Sequence, residues 1–285
     1  MWKRKLCLGV NRDFGLPLTR QAEAFHEAGF DGFFTDWNDE SSGIGVRVFR
    51  KTADRLGMLY QSVHAPFIGC DKLWKPCDET EEIMNRFIRC LRDCADNQVP
   101  IVVMHSFIGF NDHTPTDIGL ENFGKLVDEA NRLGVRIAFE NTEGEEYLAA
   151  LMERFGDDPA VGFCWDTGHE LCYNHGKDIP GLYGKKLLGT HLNDNLGIRD
   201  YNGNITWIDD LHLLPSDGIA DWNGIAGRLV RAEFDGPLTF ELTRQSKPGR
   251  HDNDKYMKLT PEEYIAEAYA RACKVAALVE RLSQN

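Results

Sequence analysis

The sequence predicts a single-domain (β/α)8 TIM barrel spanning residues 1–285. Three observations point there. Eight short, apolar, β-rich runs alternate with longer amphipathic runs at the spacing of β-α units. Strand runs such as IVVMHSF are continuously apolar rather than alternating, as strands covered on both faces should be. The length, 285 residues, is close to that of one eight-fold barrel. The competing architecture, an open doubly wound sheet, usually announces a Gly-rich phosphate loop after its first strand. Here the first strand runs into NRDFG instead.

Taken in order, the first strand is KLCLGV, ending at Val10, and PLTRQAEAFHEAG follows as a helix, with Pro17 near its start and Gly29 at its end. FDGFFTDW is the second strand, ending near Trp37, and GVRVFRKTADRLG the second helix, closed by Gly57. MLYQSVHAP is the third strand, stopped by Pro66. DETEEIMNRFIRCLRDCADN is a long helix with acidic residues in its first turn, which suits the helix dipole. IVVMHSF, VRIAFENT and VGFCWDTGH are the next three strands, separated by helices in TPTDIGLENFGKLVDEANRLG and GEEYLAALMERFG. A weaker segment, GLYGKKL, precedes the seventh strand, LLGTHLND. A long loop then leads to the helix DWNGIAGRLVRAEF, with Asp221 as its expected N-cap. PLTFELTR is the eighth strand and PEEYIAEAYARACKVAALVERL the closing helix.

The formal net charge is −13, so phosphate backbones are repelled and nucleic-acid binding is not expected. None of the eight cysteines forms a CxxC pair. Some, like Cys164 in GFCW, sit in apolar runs where a thiol acts as a small hydrophobe. MWKRKLCLGV lacks a secretory apolar stretch, and no run approaches ~18 apolar residues. The expectation is a cytoplasmic protein with reduced thiols and no membrane segment.

Apolar strands repeatedly stop in a metal-capable side chain. The third ends in His64, the fourth in His105, the fifth in Glu140, the sixth in Asp166 and His169, the seventh in His191 and the eighth in Glu241. A lone His or Glu at a strand end is ordinarily a hydrogen-bonded or solvated residue. In an eight-fold barrel, however, all C-terminal strand ends converge on one mouth. Three carboxylates and several imidazoles gathered there would repel one another and shift their pKa values unless a cation were present.

The strings SVHAPF, IAFENT, GFCWDTGH, THLNDN, DDLHLLPSDG and LTFEL resemble the xylose isomerase-like TIM barrel superfamily, which includes sugar phosphate isomerases/epimerases and AP-endonuclease-type nucleases. The resemblance runs from the first strand to the eighth. In the epimerase branch it implies one divalent ion, Mn2+, Co2+ or Mg2+, held by the residues matching Glu140, Asp166, His191 and Glu241. That oxygen-rich set suits Mn2+ or Mg2+ and tolerates Zn2+. In the nuclease branch it implies three zinc ions, with His64, His105, His169, Asp210 and His212 as added ligands. The net charge and the string DLHLLPSDG favour the one-metal branch.

On that branch the resemblance implies a sugar isomerase or epimerase, working by proton transfer next to a carbonyl through a metal-stabilised enediolate. Glu140 and Glu241 are then both ligands and acid/base catalysts, and His64, His105, His169, Trp37, Asp210 and His212 are substrate-side residues. Trp74, Phe107 and Trp165 join Trp37 as aromatics near the mouth, although alternation points Trp165 away from the ligand. Arg12 and Arg244 sit at strand ends, but no Gly-rich cradle accompanies them, so phosphate recognition is left open. Ketohexose 3-epimerases place a Glu and an Arg shortly after the seventh-strand His; HLNDNLGIRD offers Asp194 and Arg199 instead. A lyase or dehydratase acting on keto-sugars, keto-glycosides or cyclic polyols is therefore the nearest alternative. A multi-zinc phosphodiesterase and a non-catalytic sugar-binding barrel are the alternatives of other classes. The expected partner is a small sugar or sugar derivative, with no organic cofactor; self-association into a homo-oligomer is left open.

Overall fold

A computed structural model describes residues 4–111, 114–198 and 205–284. Eight parallel strands form the barrel: β1 (Leu6–Gly9), β2 (Gly32–Asp36), β3 (Leu59–His64), β4 (Ile101–His105), β5 (Arg136–Glu140), β6 (Val161–Asp166), β7 (Leu187–His191) and β8 (Leu238–Phe240). They pair in the order β7-β6-β5-β4-β3-β2-β1-β8. The remaining seam, between β7 and β8, is held sparsely. Leu192 N donates to Thr239 O at 2.8 Å and Glu241 N to Leu192 O at 3.3 Å. The Thr190 hydroxyl spans the same seam, accepting from Thr239 N at 3.0 Å. The barrel expected from the sequence is thus the fold found.

The main connecting helices are α1 (Leu18–Ala28), α2 (Val46–Leu56), α3 (Thr80–Asp96), α4 (Asp117–Leu133) and α5 (Glu145–Phe155). Two short helices follow β6, α6 (Thr167–Cys172) and α7 (Ile179–Tyr183), and then come α8 (Trp222–Arg231) and α9 (Pro261–Ser283). Periodicity does not reveal α6, because its six residues are too short to show a repeat and nearly all are buried. Asp221 is the N-cap residue of α8 as expected, but its side chain makes no capping bond. α9 starts with a full capping box, Thr260 with Glu263, behind Pro261. Among the described residues no helix is long and apolar enough to cross a membrane.

Alternation along each strand sorts two cores. Met104, Phe139, Phe163 and Trp165 belong to the large core packed with the helices. Ile101, Val103, Ala138 and Cys164, with Leu188, make a small separate cluster. Two residues beyond Val103, Ala138 and Cys164 on the same strand faces come His105, Glu140 and Asp166. Apolar side chains therefore plug the barrel and polar ones crown it at the C-terminal mouth.

Candidate metal centre

The motif asparagines and threonines lock adjacent strand ends together. Asn141, next after β5, uses its side-chain amide as a strand would use backbone: Nδ2 donates to Asp166 O at 2.9 Å, and Oδ1 accepts from Asp166 N at 2.7 Å. Thr167 does the same toward β7, its hydroxyl donating to Asn193 O at 2.7 Å and accepting from Asn193 N at 3.0 Å. Asn193 Nδ2 in turn donates to Asp166 Oδ2 at 2.9 Å. A Cβ on Gly168 would stand 2.0 Å from Asn193 Oδ1, so this close approach requires glycine. ENT, WDTGH and HLND are thus one interlocked unit that fixes where Glu140, Asp166 and His191 point.

Glu140, Asp166, His191 and Glu241 each offer a ligand atom within 4.8 Å of all the others. His191 Nδ1 lies 2.7 Å from Glu140 Oε1 and 3.0 Å from Glu241 Oε2. The other oxygen of Glu140, Oε2, is 3.2 Å from both His64 Nε2 and His105 Nε2. Burial pushes Glu140 upward, but His191, His105 and His64 outweigh it and hold the carboxyl well below its ordinary range. Burial also pushes Asp166 up, to about 6, against the opposing pull of His169 and His212. Glu241, despite burial, is drawn down to about 2 by His191 and His212. Among the described residues no Lys or Arg pairs with Glu140, Asp166 or Glu241; imidazoles alone balance them.

This donor set fits a divalent cation. Three carboxylates and one imidazole converge, and the single nitrogen His191 Nδ1 lies between two carboxylate oxygens that a cation would satisfy together. Among the described residues, buried His191 Nε2 has no hydrogen-bond partner. Its ring is held in place by Phe34, stacked at 4.5 Å and 17°.

Among the described residues three further groupings overlap this one: His64, His105 and Glu140; Asp166, His169 and His212; and Glu140, Cys164 and His191. Asp210 completes the second, with Oδ2 at 2.7 Å from His212 Nε2 and 3.6 Å from His169 Nε2. All nine metal-capable residues singled out from the sequence therefore gather at one mouth.

The aromatic expectations are corrected for Trp37, Trp74 and Phe107, while Trp165 points away from the mouth as alternation predicts. Trp37 faces away from the mouth: its indole N–H donates to Asp93 on α3 at 2.7 Å, with the Arg89 guanidinium over the ring. Trp165 donates to Glu170 under the Arg228 guanidinium. Trp74 donates to Ser106 O, and Phe107 stacks on Tyr147 at 4.0 Å. The cause at Trp37 and Trp165 is pleating, since each adjoins an aspartate that points inward. The rings that do touch the site are Phe34 on His191, Phe67 on His105 at 4.8 Å and Tyr173 on His169 at 5.0 Å. Asp36, overlooked in favour of Trp37, faces the mouth and stays exposed there, while the protein packed around it withholds enough water to raise its carboxyl, with opposing pull from His64. Phe33 and Phe34 are both buried, so alternation by itself left open which of Asp36 and Trp37 looks inward.

Arg244 leaves the mouth and donates to Leu259 O at 2.6 Å. Asp194 is buried and bonded to the loop that carries Asp210 and His212, so it takes no place among the mouth residues. Arg199 lies outside the described residues.

The family model for xylose isomerase-like TIM barrels matches residues 22–274. A curated relative, the uncharacterised protein y4fM of Sinorhizobium fredii, is 29% identical over 196 residues, covering 63% of this chain and 56% of its own. The chain thus spans little more than half of that relative. It also spans 44% of a solved fusion of a xylose isomerase-like TIM barrel with a 4-hydroxyphenylpyruvate dioxygenase (TM-score 0.73, 19% identity, 98% of this chain). L-ribulose 3-epimerase superposes over 99% of this chain and 96% of its own, with TM-score 0.72 and 14% identity. IOLI, solved with a zinc atom, superposes over 98% and 99%, with TM-score 0.71 and 19% identity. At such identities these likenesses are of fold.

Proposed function

The chain belongs to the xylose isomerase-like TIM barrel family, and from that premise we propose that it is a metal-dependent sugar isomerase or epimerase. One observation carries the reading: Glu140, Asp166, His191 and Glu241, from four different strand ends, present ligand atoms within 4.8 Å of one another. The L-ribulose 3-epimerase and zinc-bound IOLI likenesses support it at the level of fold. Mn2+ suits the oxygen-rich donor set best, and Mg2+, Co2+ and Zn2+ are compatible. When bound, the ion supplies Lewis-acid polarisation of a substrate carbonyl.

The two glutamates divide the labour. Glu140 has 0% of its side chain exposed and both oxygens against imidazoles, which makes it an anchor. Glu241 keeps 22% of its side chain exposed to the mouth, and its Oε1 has no partner among the described residues. The reading therefore assigns to Glu241 Oε1 the removal of a proton from the carbon beside a carbonyl. His64, His105 and His169 line the cluster and hydrogen-bond substrate oxygens. A lyase would start with the same proton removal.

The test is metal analysis of the purified protein and solvent-deuterium incorporation into D-fructose, D-tagatose and L-ribulose. We expect about one tightly held ion per chain and exchange at one carbon. Glu241→Gln keeps metal and loses exchange; Glu140→Gln loses metal. No exchange with any ketose by the loaded wild type, or exchange persisting in both variants, overturns the proposal. The His64-His105-Glu140 and Asp166-His169-His212 groupings favour a second reading, a multi-zinc hydrolase. About three zinc ions per chain and phosphodiester cleavage would support it instead.

A further inference from the structure

The mouth has a second lobe beside the carboxylate-imidazole cluster. A cleft of about 230 Å3 is bounded by Asn11, Arg12, Asp13, Phe34, Asp36 and Glu241, among others. Glu241 belongs to both lobes, so a ligand reaching it has this cleft as its next space. Asp36 ends β2 in register with His64 and is open to solvent. Among the described residues its carboxylate has no hydrogen bond and no ion pair, leaving its acceptor sites unused. Arg12 supplies the cleft's cation, and among the described residues its guanidinium makes one long contact, 3.4 Å to Asn38 Oδ1. Most of its five donors remain available.

An unused acceptor and an unused donor facing one recess match neighbouring hydroxyls, each of which gives and takes a hydrogen bond. Charge separates a hydroxyl-bearing tail from an anionic one. Asp13, Asp36 and Glu241 line the cleft against Arg12, so a phosphate or carboxylate there meets net repulsion.

We propose that this lobe is a polyol subsite in which Asp36 accepts from, and Arg12 donates to, the hydroxyls of the uncharged tail of an open-chain sugar. The reacting carbons of that sugar lie at Glu241. The ligand's identity as a sugar rests on the function proposed above; the subsite adds that the sugar is unphosphorylated at this end.

The test is calorimetric binding to Mn2+-loaded protein, with D-fructose and D-tagatose compared with their 6-phosphates, for wild type, Asp36→Ala, Asp36→Asn and Arg12→Ala. Wild type should bind a neutral ketose at least about tenfold tighter than its phosphate ester. Asp36→Ala should weaken the neutral ketose by about tenfold with metal content unchanged, and should narrow the preference; Asp36→Asn should keep part of the affinity. Arg12→Ala should weaken it as well, and covers the case in which an Asp36 variant fails to fold. Wild-type affinity in Asp36→Ala and Arg12→Ala, a wild-type preference for the phosphate ester, or binding of none of these ketoses overturns the subsite. Asp36-dependent binding without solvent exchange leaves the subsite standing and removes the isomerase. Exchange with Asp36-independent binding does the reverse.

Discussion

Replacing Asp194 with Asn tests how the loop that brings Asp210 and His212 into the mouth is held. Asp194 is fully buried just beyond β7. Its Oδ1 accepts from the backbone N–H groups of Asn195 and Ala220, each at 2.9 Å. Its Oδ2 accepts from Ser216 N at 2.8 Å and Trp222 Nε1 at 2.9 Å. The backbone of Asp194 also exchanges hydrogen bonds with Leu213 in both directions, at 2.9 Å. The packing is tight, with a Cβ on Gly218 standing 2.3 Å from both Asp194 Oδ1 and Asn195 O. Asn has the same shape but only one acceptor oxygen, so its NH2 must face two donors on one side. Two buried donors then lose their partner, at about 1–3 kcal/mol each, or roughly 2–6 kcal/mol together. At the ~2–4 °C per kcal/mol typical of domains approaching this size, the melting temperature falls by roughly 5–20 °C. Urea unfolding followed by circular dichroism gives the free energy, and amide exchange at Ser216 and Ala220 locates the loss. A variant within about 0.5 kcal/mol of wild type would refute the reasoning, since that is the spread of featureless surface changes.

Trp37→Phe keeps the ring on α3 but deletes the N–H bond to Asp93, so stability should fall by about 1–3 kcal/mol while the KM for any ketose turned over stays within about twofold; a tenfold rise in KM would return Trp37 to the substrate. Asp217 predicts a pH signature. Burial pushes its carboxyl up, but the Tyr256 hydroxyl, Lys255 and Arg271 outweigh this and hold it below the ordinary value. A depressed folded pKa means that the unfolded chain binds the proton more readily. The stabilisation is therefore present above the unfolded value near ~3.9 and lost as pH falls through the folded one. Asp217→Asn should cost stability at pH 7, and the gap from wild type should shrink on acidification toward pH 3; a gap independent of pH in urea titrations contradicts the assignment.

Most of the fold was legible because barrel strands and helices announce themselves locally. IVVMHSF is apolar throughout since both faces are covered, and TEEIMNRFIRCLRDCAD repeats at helical spacing over 17 residues, now α3. The candidate cluster was legible because a polar residue closing an apolar strand is conspicuous, and barrel topology then requires Glu140, Asp166, His191 and Glu241 to share one mouth. The eighth strand was over-extended in PLTFELTR. It stops at Phe240, since beyond Glu241 the chain pairs with the loop instead, Thr243 N donating to His212 O at 3.0 Å.

What stayed hidden depends on partners distant in sequence. Nothing local says that Asn141 imitates a strand for Asp166, or that Gly168 is glycine because Asn193 presses on it. Nothing local says that Asp194 gathers a loop rather than a sugar. By itself the sequence determined the barrel and the strand-end cluster Glu140, Asp166, His191 and Glu241, because strand period and chain order are local properties and topology fixes where strand ends meet. Only the tertiary structure decided which neighbour of each strand-end pair looks inward, Asp36 rather than Trp37, and how far each carboxylate is shielded. Those depend on pleat phase and on side chains arriving from across the barrel.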